Sequence, residues 1–195
     1  MPRRILVVTA HPDPAPERLC RTLATVYATA AEHAGHEVRR LDIATLEFPL
    51  LRSNEQFEKG GVPDMLQEAS QAIVWAEHLV FVFPLWLGTM PALLKGFLEQ
   101  VMRPGVAFAR PEDGGGFAKA LLGGRSARLI VTMGMPPLLY RIWFRDHGVA
   151  GMRRSILNFV GIKPVRETLF GLAMSNEKKR AGWIEKTRRL GEAGK

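Results

Sequence analysis

The sequence predicts an α/β fold, an open five-stranded parallel sheet with helices on both faces. Three observations predict it. Short apolar runs alternate with segments of helical periodicity along the 195 residues. Two of those runs, Ile5-Leu6-Val7-Val8-Thr9 and Leu79-Val80-Phe81-Val82-Phe83, are continuously apolar, as strands buried on both faces are. The chain also opens with strand, loop, helix, Gly35 and strand, which is one βαβ unit.

The elements follow in order. Ile5 to Thr9 is the first strand, and His11-Pro12-Asp13-Pro14-Ala15-Pro16 is the loop after it. Leu19, Leu23, Val26, Ala30 and Ala34 recur at helical spacing, and Gly35 stops that helix as a left-handed C-terminal residue. Glu37 to Leu41 reads as a second, more exposed strand, and the polar stretch Asn54 to Pro63 as a loop. Asp64 caps a helix to about Ala76, with Leu66, Ala69, Ile73 and Ala76 on one face. Leu79 to Phe83 is the central strand. Pro91 opens the next helix as its first residue, with Leu94, Phe97, Leu98 and Val101 inward, and Pro104-Gly105 ends it. Pro111 to Gly124, with Gly114-Gly115-Gly116, is a long loop or hairpin. Arg128 to Met133 is the fourth strand. Met152, Ile156, Phe159 and Val160 mark a helix ending at Gly161, and Thr168 to Leu172 is the fifth strand. Ser175 or Asn176 caps a final basic helix, about residues 176–191. No repeat or linker divides the chain, so residues 1–195 read as one domain.

Composition narrows the function classes. The chain is 47% hydrophobic and 24% charged, as soluble globular domains are. Cys20 is the single cysteine, so there is no internal disulfide, and no Cys/His cluster has metal spacing. The expectation is a cytoplasmic protein in a reducing compartment, with no export signal and no metal. The net charge is +8, but residues 1–150 carry 16 basic and 15 acidic side chains, while residues 151–195 carry 11 and 4. The excess therefore belongs to the last quarter of the chain. No recognition helix with a flanking turn, zinc spacing or RNP-type aromatic pattern accompanies it, which argues against nucleic acid.

In a sheet of this kind, ligands bind beyond the carboxyl ends of the strands at the switch point of strand order. The loops after the first, third and fourth strands are thus the place to look. The first carries His11 to Arg18 ahead of a helix N-terminus, whose free N–H groups suit phosphate. It contains neither GxGxxG nor GxxxxGK[ST]. The second, Pro84-Leu85-Trp86-Leu87-Gly88, sets a tryptophan and leucines beside exposed amides, suited to a flat, half-polar ring. The third is Thr132-Met133-Gly134-Met135-Pro136-Pro137, followed by Tyr140 and His147.

At these residues the chain resembles the flavodoxin-like NAD(P)H:quinone oxidoreductases, whose relatives include modulator-of-drug-activity proteins and the ancillary oxidoreductases of potassium efflux systems. Phe83-Pro84-Leu85-Trp86-Leu87-Gly88-Thr89-Met90-Pro91-Ala92-Leu93-Leu94-Lys95-Gly96-Phe97 is similar to the family's Pro-(Leu/Val)-x-(Trp/Phe)-Gly-x-Pro-Ala-x-Leu-Lys-Gly signature. Val106-Ala107-Phe108 resembles its Phe-Ala-Tyr, and Thr132-Met133-Gly134-Met135 and Asn158-Phe159-Val160-Gly161 add to the likeness.

The resemblance implies a flavodoxin-like three-layer α/β/α sandwich with strand order 2-1-3-4-5. It implies a flavin, FMN or FAD, with NAD(P)H as electron donor and a quinone-like small molecule as acceptor, reduced by two electrons in ping-pong hydride transfer. Residues implied to bind the cofactor are His11, Arg18, Pro84, Leu85, Trp86, Leu87, Gly88, Thr132, Met133 and Gly134. Tyr140 and His147 are the implied catalytic pair, although His147 lies one position from the family's histidine in an ungapped alignment. Two departures stand out. Pro16-Glu17-Arg18 replaces a Ser-Phe-Asn that family members often carry, so Arg18 would supply a charge-assisted bond to phosphate. Met133 and Met135 replace a threonine and a glycine. The resemblance also implies a homodimer, with the loop from Pro104 to Gly124 and the apolar segment Pro136 to Phe144 at the interface. Two other readings remain open. One is an ancillary flavoprotein whose basic C-terminal segment docks on a membrane transport protein. The other is a flavodoxin-type electron carrier.

Overall fold

The computed structural model describes residues 1–111, 118–172 and 177–195. The predicted caps Ser175 and Asn176 and the run Gly114-Gly115-Gly116 lie outside these described residues.

The five-stranded parallel sheet is present. Its strands are β1 (Arg4–Thr9), β2 (Glu37–Asp42), β3 (His78–Pro84), β6 (Ser126–Thr132) and β7 (Val165–Phe170), in the order β2-β1-β3-β6-β7. In chain order that is the 2-1-3-4-5 arrangement. A separate two-stranded antiparallel hairpin pairs β4 (Phe108–Ala109) with β5 (Lys119–Ala120). Every residue of β3 is buried, because it has a strand on each side and helices on each face.

The pleat sorts the core into two halves. Leu6 and Val8 of β1 face the helices α3 (Gln67–Trp75) and α4 (Ala92–Val101), in a cluster with Leu79, Phe81, Leu94 and Phe97. Ile5 and Val7 face the other way, with Val80, Val82 and Ile130. There they pack on α1 (Leu19–His33) and α7 (Glu177–Glu192) through Leu23, Tyr27, Trp183 and Ile184. The basic C-terminal segment is therefore part of the fold and not a detachable tail. Thr187 and Gly191 are buried, and Arg188 and Arg189 pair with Glu185 on α7 itself. No helix among the described residues is long and apolar enough to cross a membrane.

Several predicted boundaries are corrected. The stretch expected to be loop contains α2 (Asn54–Lys59), because Ser53 caps it by accepting from the Gln56 N–H at 3.1 Å. The Gln56 side chain in turn accepts from the Arg52 N–H at 2.8 Å. Ser-x-x-Gln is a capping-box spacing that was legible in the sequence. Asp64 caps nothing. It opens a 3₁₀ turn, Asp64–Leu66, that leads into α3. Pro91 is the residue before α4, which starts at Ala92. The fifth strand begins at Val165, three residues earlier than its apolar part suggested, because an edge strand tolerates Arg166 and Glu167. The segment Pro136 to Phe144 contains a short helix, α5 (Pro137–Trp143), with Pro137 in its first turn. The helix expected from Met152 begins earlier, as α6 (His147–Gly151), and continues through a π-helical turn, Met152–Leu157.

Candidate active site

Beyond the carboxyl ends of β1, β3 and β6 lies an open cleft of about 410 Å³. Its walls include His11, Arg18, Pro84, Leu85, Trp86, Thr132, Met133 and Gly134. Eight of the ten residues expected to hold a cofactor thus meet in one place, brought there from positions more than a hundred residues apart in the chain. Volumes of about 300–1,000 Å³ are usual for small-molecule sites.

One end of the cleft is built for an anion. The helix α1 begins there with no side-chain cap, and Leu19 and Cys20 of its first turn line the wall. Their N–H groups precede any intrahelical acceptor and carry the positive end of the helix dipole. The His11 ring accepts the Asp13 N–H at Nδ1 (3.0 Å), so in the neutral imidazole the hydrogen sits on Nε2, ready to donate. Burial holds the His11 pKa below its ordinary value, which favours that neutral form. Arg18 is held by Asp13, with Nε at 2.7 Å and Nη2 at 2.5 Å from Oδ2. It stands at the cleft as half of an ion pair, so the charge it can offer is partly compensated. Glu17 also lines the wall and is exposed to solvent. A second cation, Arg180 of α7, completes this end. Sequence reasoning missed Arg180, since nothing local to the basic helix says which of its side chains turns toward a loop more than 160 residues earlier.

The other end is flat and apolar. Trp86 meets His11 edge to face, with ring centroids 5.8 Å apart. Backbone bonds set the loop: Leu85 N–H to the Thr132 carbonyl at 2.7 Å, and Trp86 and Thr89 exchanging both N–H···O bonds at 2.9 and 3.0 Å. Between them Leu87 (φ 49°) and Gly88 (φ 81°) are both left-handed, as a tight two-residue turn of the mirror-image type requires. Leucine in that conformation is strained, which is a feature of sites where geometry is enforced from outside. Leu87 projects fully into solvent at the tip of the turn.

The enforcing parts lie beneath. Tyr140 is fully buried, and its hydroxyl donates to the Gly88 carbonyl at 3.0 Å while accepting the Val149 N–H at 3.2 Å. Gly148 packs against the same turn so closely that a Cβ on it would lie 2.0 Å from the Gly88 oxygen. His147 is exposed and lies beside the Gly88 turn, not among the residues that line the cleft. Its Nδ1 is 2.5 Å from the Phe144 carbonyl, which only accepts, so Nδ1 carries the hydrogen and Nε2 is left for other partners. A Cβ at Gly88 would be 3.8 Å from that Nε2. The left-handed pair Arg145 and Asp146 turns the chain so that His147 arrives there. The Thr132 side chain points inward instead, with its hydroxyl 3.2 Å from Cys20 Sγ. Burial raises the Cys20 thiol to about 12 and makes it an inert packing group. Among the described residues no cluster of His, Cys, Asp and Glu is placed to hold a metal ion.

A family model described as Flavodoxin-like fold matches residues 3–192. Two curated proteins are similar to this chain at 29% identity. One is a ribosyldihydronicotinamide dehydrogenase-like protein of Penicillium crustosum, over 67% of this chain and 57% of that protein. The other is an FMN-dependent NADH:quinone oxidoreductase of Halalkalibacterium halodurans, over 57% and 61%. The chain thus spans about three fifths of the length of these two relatives. The solved NAD(P)H:quinone oxidoreductase of Methanothermobacter marburgensis superposes with a TM-score of 0.77 over 100% of both chains, at 22% identity.

Proposed function

The chain belongs to the Flavodoxin-like fold family, and from that premise we propose that it is a flavin-dependent NAD(P)H oxidoreductase that reduces quinones or similar acceptors by two electrons. The observation that carries the reading is the composite cleft, with a cationic, N–H-rich end and a flat apolar end, formed by the loops after β1, β3 and β6. The residues fit FMN. The uncapped α1 terminus, His11 and Arg180 would hold a phosphate, while Leu85, Trp86 and the exposed Gly134 would border a planar ring. When bound, a flavin supplies reversible acceptance of a hydride.

The protein's own contribution is binding, orientation and proton supply. The clamped turn Trp86 to Thr89 presents backbone beside the ring position, and Tyr140 and Gly148 keep that turn from relaxing. Tyr140 acts through Gly88, as a positioning residue. His147, exposed beside the Gly88 turn with its Nε2 not engaged by Phe144, would exchange a proton with an acceptor oxygen. A two-electron reduction of a quinone needs that proton in addition to the hydride. One open mouth serves donor and acceptor in turn, which makes the kinetics ping-pong. Relatives named for FMN and NADH support this choice of cofactor and donor.

The protein works in the cytoplasm as a homodimer on this reading. Leu138, Ile142 and Trp143 of α5 are 68%, 68% and 77% exposed, and an open apolar cavity adjoins Phe108 and Phe159. Faces of this kind are usually covered by a partner. Gel filtration with light scattering should give twice the chain mass.

The deciding experiment is to purify the protein, record its flavin absorbance, strip it and titrate FMN back by fluorescence quenching. Anaerobic NAD(P)H should then bleach the bound flavin, and a quinone should restore the colour. A colourless protein that takes up neither FMN nor FAD would sink the reading.

A further inference from the structure

At the opposite pole of the sheet, where the strands begin, lies a second and smaller cavity of about 140 Å³. It is lined by Arg3, His78, Ser126, Ala127, Pro164, Arg166 and Lys195. Water occupies about 30 Å³ in the liquid, so the space exceeds that of a few waters and suits a tetrahedral or planar oxyanion. The β3 strand from His78 to Pro84 separates it from the cleft by roughly 20 Å at about 3.3 Å per residue.

Two independent features make it a site. The first is its charge. Arg3 and Arg166 line it, no acidic side chain among the described residues does, and Arg166 forms no salt bridge among the described residues. Glu77, the residue before His78, is committed to Arg4 through the Arg4 N–H at 2.9 Å and a 3.6 Å ion pair. The second is His78. It is only 2% exposed; Nδ1 lies 2.8 Å from the Ser126 hydroxyl, and Nε2 is buried with no hydrogen-bond partner among the described residues. The Ser126 hydroxyl engages Nδ1, and the buried Nε2 remains unmatched beside two guanidinium groups. Burying such a polar atom without a partner is costly.

The frame around the cavity is rigid. Arg3 Nη1 donates to the Gly194 carbonyl at 3.1 Å. The buried Arg128 donates to the Lys195 carbonyl at 2.6 Å and to the Thr168 hydroxyl at 2.7 Å, and Tyr27 donates to the same Lys195 oxygen at 3.2 Å. Arg128 is thus occupied in closing the wall, while Arg3 keeps further donors and the Arg166 guanidinium bonds to no side chain among the described residues.

We propose that this cavity is a binding site for a small oxyanion, such as phosphate or a compact carboxylate. Arg166 and Arg3 supply charge-assisted bonds, and the proposal has the Ser126 hydroxyl donating to Nδ1, so that His78 offers its Nε2–H to the anion. The site is separate from the cofactor cleft and does not depend on what that cleft binds.

Histidine-selective nitrogen NMR of the full chain tests it, because the five histidines report separately on the two poles. Titration with inorganic phosphate, at ionic strength held constant with chloride, should shift the His78 ring nitrogens saturably. Arg166→Glu, an exposed position, should weaken that response about tenfold, the usual scale for one charge-assisted bond. Arg52→Glu, at an exposed site elsewhere, should not weaken it. The proposal is overturned if neither phosphate nor a carboxylate moves His78, if chloride alone moves it as far, or if Arg166→Glu titrates like the parent. Repeating the titration with acetate and benzoate distinguishes a phosphate site from a carboxylate site, and a shift by either class upholds it.

Discussion

The Tyr140 hydroxyl donates to the Gly88 carbonyl at 3.0 Å, tying a buried side chain of α5 to the exposed turn that borders the cleft. The same oxygen satisfies the Val149 N–H at 3.2 Å. Tyr140→Phe removes both bonds and leaves a carbonyl and an N–H without that partner, which should cost about 1–3 kcal/mol. Urea unfolding should show the loss, and FMN affinity should fall with it as the turn relaxes. A positioning role leaves the pH profile of turnover in place. A shifted or missing ionisation in the variant would instead make Tyr140 a proton donor.

Gly148→Ala should be more damaging than its size suggests. The added methyl would sit 2.0 Å from the Gly88 oxygen and 2.7 Å from Thr89 Cα, and both are backbone that cannot step aside cheaply. The turn must move, so flavin affinity should drop well beyond any change seen in the unfolding midpoint. Isothermal titration of the stripped protein checks this.

Arg180→Gln probes the cationic end of the cleft. It should weaken FMN about tenfold, as loss of a charge-assisted bond does, and leave riboflavin unaffected because riboflavin has no phosphate. Parallel fluorescence titrations with the two flavins give the comparison. Equal weakening of both would place Arg180 outside the phosphate site.

His78 makes stability depend on pH in a defined window. Burial, together with Arg128, Arg3, Arg166 and His36, pushes its pKa down to about 3 from an ordinary 6.5. The folded state therefore holds that proton less tightly than the unfolded chain. Stability from this group is full above pH 6.5 and is lost as the pH falls toward 3, with a total on the order of 5 kcal/mol. Unfolding midpoints in phosphate-free buffer should decline through that range, and His78→Asn should flatten the decline.

Much of this was readable along the chain because local rules dictate it. Strands covered on both faces must be apolar at every position, so the first and third strands and the parallel sheet were plain. Topology then fixed where the loops meet, and the signature from Pro84 to Gly96 marked one of them. The short helix α2 was missed although its Ser53-to-Gln56 cap was in view, because a polar surface stretch has no apolar periodicity to announce it.

The sequence by itself determined the fold class, the strand order that the family resemblance implied, and the set of loops that form the cleft. Only the tertiary structure decided what each side chain does there. It turned the Thr132 hydroxyl inward to Cys20, paired Arg18 with Asp13, and placed Tyr140 under Gly88. It also brought Arg180 to the cleft and His78 to a basic cavity at the far pole. The physical reason is range: helix and strand patterns follow from neighbours a few residues apart, whereas hydrogen bonds and charge contacts depend on which distant segments the packed core brings within about 3 Å.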